Sequence, residues 1–239
     1  MFGISTHCLS RVSLEEALER LEPLTSYVEV MADGMHAVTD SSLMENFSFR
    51  YSFHAPARGV NIASQLEPIR KASVEVTTEC MRIAAEAGAS IVVVHPGYYA
   101  WPEMKEAAAL RLGQSLSELS AYAEEVSVKF SIENMGNWDY FFLRTPVDMG
   151  LIEGTGFTLD VGHANLNHCL NDFLKYDACH FHLHDNYGDH DSHAAIGEGN
   201  IDFGAVFDVV KASGVAPILE VESFEGTLKS IPILEKNLK

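Results

Sequence analysis

The chain has 239 residues, 34 of them acidic and 16 basic, which leaves a formal charge of −18. A field of that sign disfavours nonspecific association with nucleic acid or anionic membrane. Four scattered cysteines (Cys8, Cys80, Cys169, Cys179) without a CxxC pair, no signal-peptide pattern and no apolar run near the ~20 residues of a membrane span point to a soluble, cytoplasmic protein with no membrane partner.

"FGIST" (2–6) reads as a strand, followed by a helix over 13–21 with Ser13 as N-cap and Glu16 three residues on. Strands follow at 27–31 and 50–54, then a helix through 69–88 that ends at Gly88. "SIVVVH" (90–95) is apolar on both faces, as a buried parallel strand should be. A long helix covers 103–126, and strands come at 129–134, 156–160, 179–185 and 217–222. Helical segments fall at about 146–153, 167–176, 202–213 and 226–237. Eight strands, each trailed by a helix or a helix-sized segment, predict an α/β protein with one (β/α)8 TIM-barrel domain over 1–239. A doubly wound open sheet fits the same alternation but gives no reason for the residues at the strand ends.

In such a barrel the chemistry sits where strands end and the following loops begin. Here the third to eighth strands finish on His54, His95, Glu133, Asp160, His182 and Glu220. A single strand-end histidine is ordinarily a hydrogen-bonded rim residue, and a single acid there is often a helix cap. Six in succession need another account, because buried carboxylates require cations. Arginine and lysine do not supply them: between Thr145 and Val210 the only basic residue is Lys175. Divalent ions would satisfy carboxylates and imidazoles together. This nitrogen and oxygen donor set suits Zn²⁺ first, with Mn²⁺ or Fe²⁺ as alternatives.

The segments "FHAPARGVNIAS", "VVHPG", "SIENMGN", "TLDVGHAN", "HLHDN", "DSHAAIGEGNI" and "ILEVE" resemble, in order, the metal motifs of the endonuclease IV family (AP endonuclease family 2). That family belongs to the xylose isomerase-like barrel superfamily, which also holds sugar and sugar-phosphate isomerases and epimerases. The resemblance runs from about residue 50 to residue 222. It implies up to three ions: one on His54, His95 and Glu133; a second on Glu133, Asp160, His182 and Glu220; a third on His163, Asp191 and His193. Glu220 is preferred over Glu222, which shares its strand face. The resemblance would place an asparagine where this chain has His184, so His184 is a candidate substrate contact or a donor to one of the ligands; His7, at the end of the first strand, is a further candidate substrate contact. Asp185 is a candidate for orienting a ligating imidazole. His180 and His190 read as structural or solvated, and "GEG" (197–199) as a tight turn.

Two chemistries follow. In the first, the chain is a phosphoester hydrolase, Glu133 bridging two ions that activate water and clamp the attacking and leaving oxygens. Its substrate would be abasic-site DNA or a smaller phosphorylated molecule. In the second, it is a sugar or sugar-phosphate isomerase or epimerase, with Glu133 or Glu220 moving the proton next to a carbonyl. A non-catalytic metal-binding domain is a third reading. The loops that would grip DNA depart from the endonuclease pattern. "ADGMHAVTD" has no Arg or Lys, and Arg58 is the only basic residue of "APARGVN". Arg58, Tyr98 and Trp101 are candidate substrate contacts; the aromatic pair comes from "GYYAW", whose Tyr98, Tyr99 and Trp101 can equally pack over the barrel rim. In "NWDYFF" (137–142), core packing is favoured for Phe141 and Phe142.

Overall fold

The computed structural model describes residues 1–238. Its eight strands are β1 (Gly3–Ser5), β2 (Tyr27–Met31), β3 (Arg50–His54), β4 (Val92–Val94), β5 (Phe130–Glu133), β6 (Gly156–Asp160), β7 (His180–Leu183) and β8 (Ile218–Leu219). Each pairs in parallel with the next, and β8 pairs back to β1, closing the barrel. The barrel predicted from the alternation of elements is therefore the fold.

Helices α1 (Leu14–Leu21), α2 (Glu67–Glu86), α3 (Lys105–Glu125), α4 (Val161–Leu166), α5 (Leu170–Phe173), α6 (Phe203–Ser213) and α7 (Phe224–Asn237) follow the strands. The Ser13 hydroxyl caps α1 by accepting from the Glu16 N–H at 3.2 Å. Two segments differ from expectation. The stretch near 146–153 is a 3₁₀ helix, Pro146–Ile152, and 167–176 is α-helical only over Leu170–Phe173. His168 explains part of the second difference, because its φ of 53° lies in the left-handed region and separates α5 from α4. No helix among the described residues is long and apolar enough to cross a membrane.

Apolar side chains fill the layer between strands and helices: Ile4, Leu18, Leu21, Phe53, Met81, Ile83, Leu112 and Phe173 are all essentially inaccessible. Inside the barrel the pattern inverts. Successive strand residues point to opposite faces, and the inward set includes Ser5, Glu29, Ser52, Ser131, Thr158 and His180, all fully buried. Barrel interiors are ordinarily packed with branched aliphatic residues. The polar layer here underlies the strand ends that carry the candidate ligands.

Candidate metal centre

The barrel brings the strand-end residues into contact at one mouth. Glu133, the last residue of β5, is the hinge of the arrangement. Its Oε2 lies 3.2 Å from His54 Nε2 and 3.1 Å from His95 Nε2, while its Oε1 lies 2.9 Å from His182 Nδ1. The two oxygens of one carboxylate thus serve two neighbouring groups of donors. The first group is His54, His95 and Glu133; the second is Glu133, Asp160, His182 and Glu220. Asp160 and His182 are register partners across β6 and β7, and Glu220 Oε2 sits 3.3 Å from His182 Nδ1.

A third group joins His163, His184, Asp191 and His193. His163 reaches it because Asp160 ends β6 and caps α4, its Oδ1 accepting from the His163 N–H at 2.7 Å. The turn that Asp160 starts swings His163 back over the barrel. Asp191 Oδ2 then lies 3.4 Å from His163 Nε2 and 3.0 Å from His193 Nε2. His193 holds a backbone φ of 40°, uncommon for a residue with a side chain. Its carbonyl accepts from the Glu222 N–H at 2.9 Å, and its Nδ1 donates to the Glu220 carbonyl at 2.8 Å. Those two bonds secure the strained backbone and aim Nε2 into the site.

His184 is the member of this group that departs from the resemblance. Of its two expected roles, contact with substrate or with a ligand, the geometry matches the second: it is fully buried, stacked on His193 at 3.8 Å between ring centroids, with Nε2 3.0 Å from Asp160 Oδ1. The room for its ring comes from Gly162, where any Cβ would fall on the imidazole. Gly162→Ala should therefore displace His184 and Asp160 together, costing about 1–3 kcal/mol in overpacking and lowering metal affinity, both measurable by thermal unfolding with and without chelator.

Electrostatics explain why these groups need cations. Glu29, Glu133, Asp160, Asp191 and Glu220 are each buried or nearly so, and among the described residues none is paired with a lysine or arginine; histidines are their only ion-pair partners. Burial by itself would raise the Glu133 carboxyl, but His182, His54 and His95 hold it well below its usual range. Burial opposes protonation of His54 and His193, yet Glu133 and Asp191 respectively pull them up to about 9. His7, where burial dominates, falls to about 4. Without metal, then, several ligand-type histidines carry the positive charge that the carboxylates demand. Asp160 Oδ2, Asp191 Oδ1 and His184 Nδ1 remain buried with no hydrogen-bond partner. Orphaned carboxylate oxygens facing clustered imidazoles are the donor chemistry of a divalent ion site.

The mouth opens into a cavity of about 480 Å³. His7 and Arg58 line it, as do Met135, Trp138, Phe141 and Glu222 beside the candidate ligands. Tyr98 and Trp101, candidates for substrate contact or for packing over the rim, lie outside that wall. Trp101 is 66% exposed and Tyr98 packs against Phe141 at 5.1 Å, so neither borders the cavity. Trp138, edge-on to His163 at 5.2 Å, and Phe141 form the aromatic wall instead. Phe142 is core, as expected.

Asp185 also has a different task from the one its spacing pointed to. Its Oδ1 accepts from the N–H groups of Asn186 (2.9 Å) and Ile201 (3.2 Å), and its Oδ2 from Gly197 and Gly199 (both 2.9 Å). It shapes the Gly-Glu-Gly turn and contacts no imidazole through its side chain. Gly197 supplies a φ of 89° there, and a Cβ at position 199 would collide with Asp185. His190 is exposed beside Asp189, 2.8 Å away. The residue the sequence reading passed over is Glu29, whose Oε1 lies 2.7 Å from His182 Nε2 and whose Oε2 accepts from Ser52 at 2.8 Å and from His180 Nε2 at 2.7 Å.

Residues 38–239 match the model of the xylose isomerase-like TIM barrel. The chain belongs to that family. It is 35% identical over 231 residues to an uncharacterized protein of Methanocaldococcus jannaschii, covering 92% of each chain. It is also 27% identical over 215 residues to a probable endonuclease 4 of Mycobacterium leprae, covering 83% of this chain and 82% of the other. Among solved structures, a D-tagatose 3-epimerase-like protein superposes with a TM-score of 0.92 at 30% identity, covering 99% and 96% of the two chains. A protein from Thermus thermophilus soaked with ZnCl2 superposes with a TM-score of 0.76 at 25% identity, covering 98% and 96%. Proteins that resemble the chain thus carry both endonuclease and epimerase-like names.

Proposed function

We propose that this xylose isomerase-like barrel is a divalent-metal-dependent phosphoester hydrolase that acts on a small phosphorylated substrate. The observation that carries the reading is the division of Glu133 between two donor groups, with a third group of His163, His184, Asp191 and His193 alongside. A one-ion isomerase has use for Glu133, Asp160, His182 and Glu220 and no evident use for the others. Ions held by these groups would neutralise phosphoryl charge and activate water near neutral pH. Zinc is the proposed ion, from the imidazole and carboxylate donors and from the ZnCl2-soaked neighbour.

The protein's own residues would do the rest. Glu133 and Asp160 fix the spacing of the donor groups, and Asp191 and His193 close the third from the loop. Trp138 and Phe141 line one side of the cavity, and Arg58 is the one arginine or lysine at its rim among the described residues. A cavity of about 480 Å³ falls within the range of small-molecule sites. With a charge of −18 and a single arginine at the rim, it supports a small ester over duplex DNA.

A second reading, sugar epimerisation, draws on the D-tagatose 3-epimerase-like neighbour and on the pair Glu133 and Glu220 within one donor group. One experiment separates them. Metal-replete protein is assayed on p-nitrophenyl phosphate, bis(p-nitrophenyl) phosphate and an abasic-site duplex, and on ketoses in D2O by NMR. The proposal expects turnover of a small phosphoester that chelator removes and Zn²⁺ restores. Deuterium incorporation into a ketose with no phosphoester turnover would overturn it in favour of the epimerase.

A further inference from the structure

We propose that Glu29 is a positioning residue of the metal centre, holding His182 so that it presents Nδ1, rather than Nε2, to the ion shared with Glu133, Asp160 and Glu220. The inference rests on the reading that these groups hold metal.

Three other histidines share one arrangement: His54, His163 and His193 each donate Nδ1–H to a backbone carbonyl, that of Ala55 (2.8 Å), Asn134 (2.9 Å) and Glu220 (2.8 Å). That bond fixes the tautomer, and all three turn Nε2 inward. His182 is reversed. Its Nδ1 faces Glu133 Oε1 at 2.9 Å and Glu220 Oε2 at 3.3 Å, while its Nε2 lies 2.7 Å from Glu29 Oε1, an ion-pair contact in which neither atom is aligned for a hydrogen bond. A carboxylate stands at contact distance behind this ring, on the side where the other three donate to a backbone carbonyl.

That substitution has a chemical consequence. A full negative charge behind an imidazole makes its opposite nitrogen a stronger donor than a neutral carbonyl does. The carboxylate is also braced, because Ser52 Oγ and His180 Nε2 bind its other oxygen at 2.8 and 2.7 Å. Glu29 is fully inaccessible and sits between Val28 and Val30 in β2, with histidines as its only ion-pair partners among the described residues. Burying a carboxylate there for stability alone is a poor solution, since apolar residues of similar volume usually serve as well or better. A charge kept at that cost against one particular ligand nitrogen is explained by what it does to the ligand.

A purely structural role is the competing explanation: Glu29, Ser52 and His180 could simply form a polar knot in the barrel. The variant Glu29→Gln separates the cases. Zn²⁺ affinity of chelator-stripped protein is measured by competition with a chromophoric chelator, with thermal midpoints of the stripped proteins taken in parallel. The proposal expects Glu29→Gln to weaken one zinc-binding step by about 10–100-fold, leaving the other steps near wild type. Wild-type affinity in Glu29→Gln, or equal losses at every step, would overturn it. If wild type takes up no zinc, the metal reading fails and this inference with it. A crystal structure of the zinc-loaded wild type provides a readout independent of variant folding: zinc on His182 Nδ1 supports the proposal, and zinc on Nε2 overturns it.

Discussion

Replacing Glu133 with glutamine should abolish most turnover while leaving the barrel folded. The substitution keeps the side chain's size but removes the charge that two donor groups share, His54 and His95 on one oxygen and His182 on the other. Losing a bridging ligand removes several kcal/mol of transition-state stabilisation, so kcat should fall by about 10³-fold or more. Metal content should fall with it, whereas substitution of a cavity-lining residue that touches no candidate ligand, such as Arg58→Ala, should raise KM and leave metal content unchanged. A Glu133→Gln protein with full metal content and near-normal kcat would remove the bridging role from the account.

Asp185→Ala should be the most destabilising single change outside the ligand set. The side chain accepts four backbone N–H groups, from Asn186, Gly197, Gly199 and Ile201. Each donor left buried without a partner costs about 1–3 kcal/mol. Because part of the turn is open to water, the total should be roughly 3–5 kcal/mol, or on the order of 10 °C in Tm for a domain of this size. Glu198→Ala in the same turn, where the side chain is exposed beside Lys229, should shift Tm by far less. The opposite pattern, reduced metal affinity at unchanged Tm for Asp185→Ala, would reinstate Asp185 as a residue that orients an imidazole.

The barrel and its mouth were legible in the sequence for a specific reason. Strand ends are fixed in phase with the strands that carry them, so His54, His95, Glu133, Asp160, His182 and Glu220 could be placed on one face from the alternation alone. Helix α4 escaped notice because Asp160 does two jobs. Read as a ligand, it was not read as the N-cap of a helix, although His163 three residues on receives that cap. Glu29 was missed despite a signal in "YVEVM", where a single acid stands at an inward position between valines. Its partner His180 is 151 positions away, with His182 beyond it, and only the closed barrel brings them together. The aromatic wall was misassigned for a related reason. Whether Trp101 or Trp138 faces the cavity depends on how two loops pack, Tyr98 bridging to Phe141 between them, and no local periodicity encodes that.

The central claim is that the three donor groups of this mouth hold more than one ion. The most direct test is metal content per chain, by elemental analysis of protein purified without chelator or added metal. About three equivalents are expected, one for each of the groups built on His54, on Asp160 and on His163, with about one lost in His193→Ala. A content near one equivalent, unaffected by His193→Ala but lost in Asp160→Ala, would contradict it.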